Sequence, residues 1–263
     1  MNKTNHSLSE PCLTGSTSKI DLKDVTFVVP LRIDSTERKE NIDTLLKHTF
    51  NHFNTNFIVL EADSERQYFP AVKPKGFNYE FLYDKNEIFH RTNLINKLIS
   101  LSLTPIVAVW DSDAIAPPNQ ILDSVKKIRS GEAVMSLPYD GRFYSCDKIS
   151  CTLFKKYLDI QILLKRLPVM LVMHGSHSVG GAYIVDKEKY QNLGGENENF
   201  YGWGPEDAER VKRIEIFGLI IHNSFGQLFH MLHPIMKNSW FASKEIERKN
   251  RQEFLNTCKR KDL

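Results

Sequence analysis

A chain of 263 residues, 41% hydrophobic and 25% charged, has the composition of a soluble globular protein. It is long enough to bury a sizeable core as one large domain, or one domain plus a small lobe. Its 35 Lys and Arg against 32 Asp and Glu give a net charge of +3, too mild a basic excess to make nucleic acid the main partner. The four cysteines (Cys12, Cys146, Cys151 and Cys258) form no CxxC pair. That argues against a disulfide scaffold or zinc–thiolate site and points to a reducing cytosol.

Residues 1–24 are polar, rich in Ser and Thr, and hold no apolar signal-peptide core, so they are expected to form a disordered tail. Val25–Leu31 (VTFVVPL) is short, continuous and β-branched, which predicts a buried strand. A helix follows from Ser35 to about Phe53, with Ile42, Leu45, Leu46 and Thr49 on one face. Asn56–Ala62 and Tyr79–Tyr83 predict two more strands. His90–Leu103 has helical spacing at Leu94, Ile95, Leu98 and Leu101, and Ile106–Trp110 (IVAVW) is another buried strand. Pro117 and Pro118 open a helix to about Arg129, and Ala133–Leu137 reads as a strand. The second half predicts a helix over Cys151–Arg166, a glycine cluster, a helix from near Pro205, and a charged, exposed helix over 243–263. The apolar runs Pro105–Trp110 and Phe217–Ile221 are far short of the roughly 18 residues a membrane span needs.

This β-α-β-β-α-β order predicts an α/β fold with a mainly parallel central sheet flanked by helices. Ligands of such sheets bind beyond the carboxyl ends of the strands, which brings forward Arg32, Asp111 and Asp113. Asp111-Ser112-Asp113 directly follows IVAVW. Two carboxylates one residue apart in a turn can face one divalent cation, Mn²⁺ or Mg²⁺, and leave its other positions open to phosphate oxygens. His230-Met-Leu-His233 offers imidazoles for the same ion, on a helix or at an irregular strand end; taken alone, such a pair is more often buried core. In Phe200-Tyr-Gly-Trp-Gly-Pro-Glu-Asp207, glycines flank a tryptophan that could cover a sugar, and two acids begin a helix where the dipole favours them. One of these acids can take a hydroxyl proton while the other orients the acceptor. Arg32 and Arg91 suit phosphate, and Phe89 suits a stacked base.

Together these segments resemble the GT-A glycosyltransferases, specifically the β-1,4-galactosyltransferase and chondroitin-synthase-like branch, from about Val25 to Pro234. VVPLRIDSTER is similar to that family's first strand and nucleotide-binding arginine, FHRTNLIN to its FNRAKLLN segment, and VWDSDAI to its DxD element. GGAYIVDKEKYQNLGGENENFYGWGPEDAE, the most specific stretch, is similar to the block ending in GWGGEDDD. The resemblance implies a GT-A, Rossmann-like nucleotide-diphospho-sugar transferase over 25–242, with a nucleotide half (25–138) and an acceptor half (139–242). It implies Asp113 and His233 as metal ligands, with Asp111 supporting metal or ribose and His230 as an additional ligand. Asp207 becomes the base. Glu206, Trp203 and Tyr201 bind the acceptor. Arg32, Phe89, Arg91, Asp111, Gly180, Gly181 and Trp203 bind the donor. Pro205 stands where the family has glycine, and Ala208 follows the acidic pair, departures that bear on the acceptor and on loop dynamics.

The implied reaction is inverting transfer of galactose or N-acetylgalactosamine from a UDP-sugar to a glycan or lipid-linked oligosaccharide. It would serve bacterial surface polysaccharide, in the cytoplasm or peripherally at the inner face of the membrane. A metal-dependent phosphoester or sugar-nucleotide hydrolase, and a catalytically silent sugar-nucleotide-binding domain, stay open as alternatives.

Overall fold

The computed structural model describes residues 18–173, 175, 177–236 and 240–260. Residues 1–17 of the expected tail and 261–263 of the expected final helix lie outside these. The first strand, β1 (Ile20–Leu31), begins inside the stretch read as tail, and Val25–Leu31 is buried throughout. Residues 20–24 are ordered because β1 pairs with the second strand from Ile20 onward, across a register shift between Leu22 and Thr26.

Helix α1 (Thr36–His52) is N-capped by Ser35, whose hydroxyl accepts from the Arg38 amide, and it buries the predicted face of Ile42, Leu45, Leu46 and Thr49. Strands β2 (Phe53–Asp63) and β3 (Phe77–Tyr83) precede α2 (Arg91–Leu101). On α2, Ile99 is buried and Leu101 is 49% exposed, because Ile99 extends the inner face one turn beyond Ile95 while Leu101 ends the helix. All five residues of β4 (Ile106–Trp110) are buried. Then come β5 (Ala114–Ile115), α3 (Pro118–Arg129) with proline in its first turn, β6 (Met135–Leu137) and β7 (Phe143–Ser145).

The helix expected over Cys151–Arg166 is two helices, α4 (Lys148–Tyr157) and α5 (Ile160–Arg166). Leu158 turns left-handed at φ 54°, and the Asp159 side chain caps the new start at the Gln161 amide. After a 3₁₀ turn come β8 (Leu171–Val172), β9 (Ala182–Asp186) and α6 (Lys187–Asn192), then α7 (Glu206–Ile216), β10 (Ile221–Asn223), β11 (Leu228–His230) and α8 (Lys244–Lys259).

Seven strands form the main sheet in the order β10-β6-β9-β4-β1-β2-β3. It is parallel except at β9, which runs antiparallel between β4 and β6. Phe27 stands at its centre, stacked on Phe53 and Phe57 and against Trp110; each such side chain contributes roughly 1.5–3 kcal/mol by its burial. A smaller sheet, β5-β11-β7-β8, flanks the mouth of the first.

The final helix is not a free, exposed rod. Asn250 and Thr257 are buried, and α8 packs on α7. Its anchors are hydrogen bonds rather than an apolar face: Asn250 Nδ2 donates to the carbonyls of Tyr201 (3.1 Å) and Trp203 (3.0 Å), and Thr257 Oγ1 donates to Glu209 (3.2 Å).

Candidate active site

Four strand ends, three from the main sheet and one from the smaller, meet beyond the carboxyl ends of β1 and β4. β1 delivers Arg32 and the start of α1. β4 delivers Asp111, Ser112 and Asp113. Because β9 is antiparallel and pairs Ala182 with Trp110, its entry glycines sit at the same edge. The Asp111 amide donates to the Gly181 carbonyl (2.9 Å), and the Trp110 indole closes the acidic turn onto the Ala114 carbonyl (2.8 Å). β11 pairs His230 with Ala114, and the Met231 amide donates to the Asp113 carbonyl (2.7 Å), so both histidines arrive beside the acidic turn. His230 ends a strand and His233 lies in the coil after it, which is the strand-end alternative for this motif. Asn41 Nδ2 donates to the Leu232 carbonyl (3.3 Å), and Cys151 Sγ accepts from the Leu232 amide (3.2 Å).

Asp113, His230 and His233 form a cluster whose ligand atoms all lie within 4.8 Å of one another. His233 Nε2 is 3.2 Å and His230 Nε2 is 3.7 Å from the Asp113 carboxylate. His233 Nδ1 lies 2.8 Å from the Pro234 carbonyl, a bond that leaves Nε2 free to ligate. One carboxylate and two imidazoles fit Mn²⁺ better than Mg²⁺, which prefers an all-oxygen shell. Burial pushes the Asp113 carboxyl up, yet His230, His233 and Arg38 together hold it well below the usual carboxylate range, so it is ionised and ready for a cation. Burial also lowers His230, whereas the hydrogen bond to Asp113 raises His233 against its own burial. Asp111 does not join this cluster: its Oδ1 accepts from Arg91 Nη2 (2.7 Å) and Nε (3.2 Å).

Arg91 links the two halves of the site. Its Nη1 lies 3.7 Å from Asp207 and 4.0 Å from Glu206 at the start of α7. Arg210, one turn along α7, puts Nη2 2.9 Å from Asp207 and binds the buried Glu196 through Nε (2.7 Å) and Nη2 (2.9 Å). Tyr183 and Tyr190 donate their hydroxyls to the same Glu196, and Arg210 stacks on the Tyr183 ring at 3.9 Å. Despite full burial, Glu196 is pulled down to about 2 by Arg210 and the two hydroxyls. Glu206 moves the other way: burial and the neighbouring Asp207 charge push its carboxyl up to about 8. Among the described residues, seven buried side-chain polar atoms lack a well-directed hydrogen bond, and four belong to Arg91, Glu206, Asp207 and Arg210, where Asp207 Oδ1 and Arg91 Nη1 are held by ion pairs alone. Such atoms concentrated at one cleft mark a place where ligand hydroxyls would complete the bonding.

A cavity of about 370 Å³ spans both halves and is lined by Arg32, Phe89, Arg91, Asp111, Asp113, Trp203, Glu206, His230 and His233. Arg32 is committed to the scaffold, donating to Ala62 O, Asn86 O and Asp84 and covering the Phe89 ring at 5.2 Å. Trp203 stacks on Trp240 (4.6 Å, 24°), with Phe241 edge-on. Tyr201, Asp207, Gly180 and Gly181 are not in the lining; Tyr201 lies edge-on to His90, and Asp207 is turned toward Arg210 and Gly180. The two glycines serve packing. A Cβ on Gly180 would lie 2.2 Å from Asp207 Oδ2, and one on Gly181, at φ +83°, would lie 2.8 Å from the Phe143 ring.

Sequence reasoning missed Arg38, Arg210, Glu196, Asn250 and Trp240. Arg38 had a local signal, the Asp34–Arg38 spacing across a Ser35 cap, and Arg210 sits one turn beyond the acidic pair. The other three carry no signal short of the tertiary fold.

Residues 167–234, which hold the glycine pair, the acidic pair and both histidines, match the family model described as "N-terminal domain of galactosyltransferase". The chain is 37% identical over 65 residues to mouse β-1,4-galactosyltransferase 7, a match covering 23% of this chain and a fifth of that relative's length. Drosophila β-1,4-galactosyltransferase 7, solved with manganese, UDP-Gal and xylobiose, superposes with a TM-score of 0.54 at 16% identity, over 86% of this chain and 78% of that one. The Pyrobaculum calidifontis mannosyltransferase PcManGT, solved with GDP-Man and Mn²⁺, superposes at 0.51 and 14% identity, over 89% and 64%. The chain therefore has the GT-A fold of nucleotide-sugar glycosyltransferases, and its residues 167–234 match the galactosyltransferase family model.

Proposed function

We propose that this chain is a Mn²⁺-dependent, inverting glycosyltransferase that moves galactose or N-acetylgalactosamine from a UDP-sugar to a glycan hydroxyl. The carrying observation is a single cavity that joins the Asp113–His230–His233 cluster to Glu206, with Arg91 in its wall bridging from Asp111 to Asp207 behind Glu206. The UDP-Gal, manganese and xylobiose held by the Drosophila neighbour support the donor, the metal and a sugar acceptor.

Mn²⁺ held by Asp113, His230 and His233 would offset the charge that builds on the departing diphosphate. Arg91, anchored on Asp111, adds a second positive charge between the donor and acceptor sides. Asp207, ion-paired with Arg210, takes the proton of the acceptor hydroxyl. The acceptor oxygen forms its bond to the anomeric carbon as the bond to the diphosphate oxygen breaks on the opposite face. Configuration inverts and UDP leaves. Glu206, held protonated near neutrality, donates to the acceptor and orients it. Trp203, backed by Trp240, supplies a flat wall for the sugar. The acceptor belongs to a surface polysaccharide or its lipid-linked precursor, built on the cytoplasmic side. No helix among the described residues is long and apolar enough to cross a membrane.

Calorimetry of UDP with and without Mn²⁺ tests this reading. Wild type binds UDP only with Mn²⁺; Asp113→Ala loses that binding. Asp207→Asn keeps it but loses roughly 10²–10⁴-fold in transfer to a sugar acceptor. UDP binding that ignores Mn²⁺, or an Asp207→Asn enzyme with full turnover, refutes it.

A further inference from the structure

The metal cluster has a fixed cation built against it. Arg38 sits in the first turn of α1, where Ser35 Oγ accepts its amide (3.2 Å) and Asp34 Oδ1 accepts its Nε (2.9 Å). From there Nη1 donates to Asp113 Oδ2 (3.1 Å), and Nη2 lies 3.4 Å from His233 Nδ1. The guanidinium thus touches two of the three residues of the cluster, lines the cavity, and is 17% exposed. Arg38 is shared between Asp34 and Asp113, and Asp111 is paired with Arg91, so this cation draws on the one carboxylate of the cluster that a divalent ion would need.

We propose that Arg38 makes metal binding conditional on the donor's diphosphate. Without nucleotide, Arg38 neutralises Asp113 and opposes a divalent cation at the cluster. A nucleoside diphosphate brings the missing negative charge, bridges metal and guanidinium, and turns their repulsion into joint attraction. Metal and nucleotide then strengthen each other reciprocally, as linkage requires. Arg38 is accordingly a positioning residue for the metal and a direct ligand of the leaving diphosphate. The inference rests on the nucleotide-sugar reading above.

The test measures Mn²⁺ affinity of the full chain by electron paramagnetic resonance, alone and with saturating UDP. It compares wild type with Arg38→Gln, Arg38→Met and Arg38→Lys, each checked for its thermal midpoint. In wild type, UDP tightens Mn²⁺ binding. In either neutral variant, Mn²⁺ alone binds about tenfold tighter and the gain from UDP shrinks by about tenfold or more. Arg38→Lys keeps most of the wild-type coupling, which a purely structural role would not predict. Either neutral variant with a wild-type midpoint suffices. Unchanged Mn²⁺ affinity and unchanged coupling in that variant overturn the inference. A wild type that binds no UDP under any condition overturns the nucleotide reading itself.

Discussion

The two halves of the cleft are built by opposite means. The proposed acceptor half comes from one contiguous stretch, and it is rooted in the core: Asp207 leans on Arg210, which is wholly buried against Glu196, Tyr183 and Tyr190. The metal half is gathered from three distant segments, and backbone amides hold it, among them Met231 to the Asp113 carbonyl and Leu232 to the Cys151 thiol on α4. Its charge balance is completed only by Arg38 at the surface of the cavity. The difference teaches where each half stores its order. The acceptor half has paid for its charges within the fold, while the metal half waits for ions from outside.

The largest effect should come from cutting the root of the acceptor half. Arg210→Met removes the one cation that, among the described residues, is ion-paired with Glu196, and also the nearest cation on Asp207, stranding a fully buried carboxylate. Breaking a buried pair in this way costs about 3–5 kcal/mol. Urea unfolding should register that loss, while Mn²⁺ binding by whatever remains folded stays near wild type. A loss below about 1 kcal/mol, within the range of exposed pairs, would erase the contrast between the halves.

A pH series sharpens the same contrast. The Glu206 carboxyl is raised from 4.5 to about 8 in the folded chain, by burial first and by Asp207 second. The folded state therefore holds a proton that the unfolded state has released. The stability contributed by this group is fully present below about pH 4.5 and is lost as pH rises toward 8. Glu206→Gln, which cannot ionise, should flatten the decline in unfolding free energy between pH 5 and 8. Parallel wild-type and variant curves over that window would show that Glu206 does not carry it.

How far the sequence reaches follows from which forces are local. Strand β4 and its acidic turn were legible because an unbroken apolar run ends at Asp111, and the acids of α7 because they open a helix behind Pro205. The roles of Arg38 and Arg210 were not. A helical arginine ordinarily reads as solvated, and only the folded chain brings Asp113 and Glu196, from 75 and 14 residues away, to meet them. Gly180 and Gly181 were legible as important positions, but the close approach of Asp207 and Phe143 that bars a Cβ there was not. The break at Leu158 was hidden because Leu158 is an ordinary helix former; the capping carboxylate of Asp159 decides the outcome. Helix α8 misled most, because periodicity detects apolar stripes and this helix docks through Asn250, Glu253 and Thr257.

That docking gives the smallest and most selective prediction. Asn250 is 1% exposed and holds the tryptophan loop at two carbonyls, Tyr201 and Trp203, while its own bulk fills the space beside Gly204. Asn250→Ala leaves both carbonyls without this donor and should cost about 1–3 kcal/mol. The loop carries Trp203, proposed to face the acceptor, whereas the metal cluster is built from the turn after β4 and from β11 and the coil beyond it. The variant should therefore raise the KM for the acceptor and leave UDP–Mn²⁺ affinity unchanged. If both parameters moved together, α8 would be supporting the whole cleft, and the two halves would share one foundation after all.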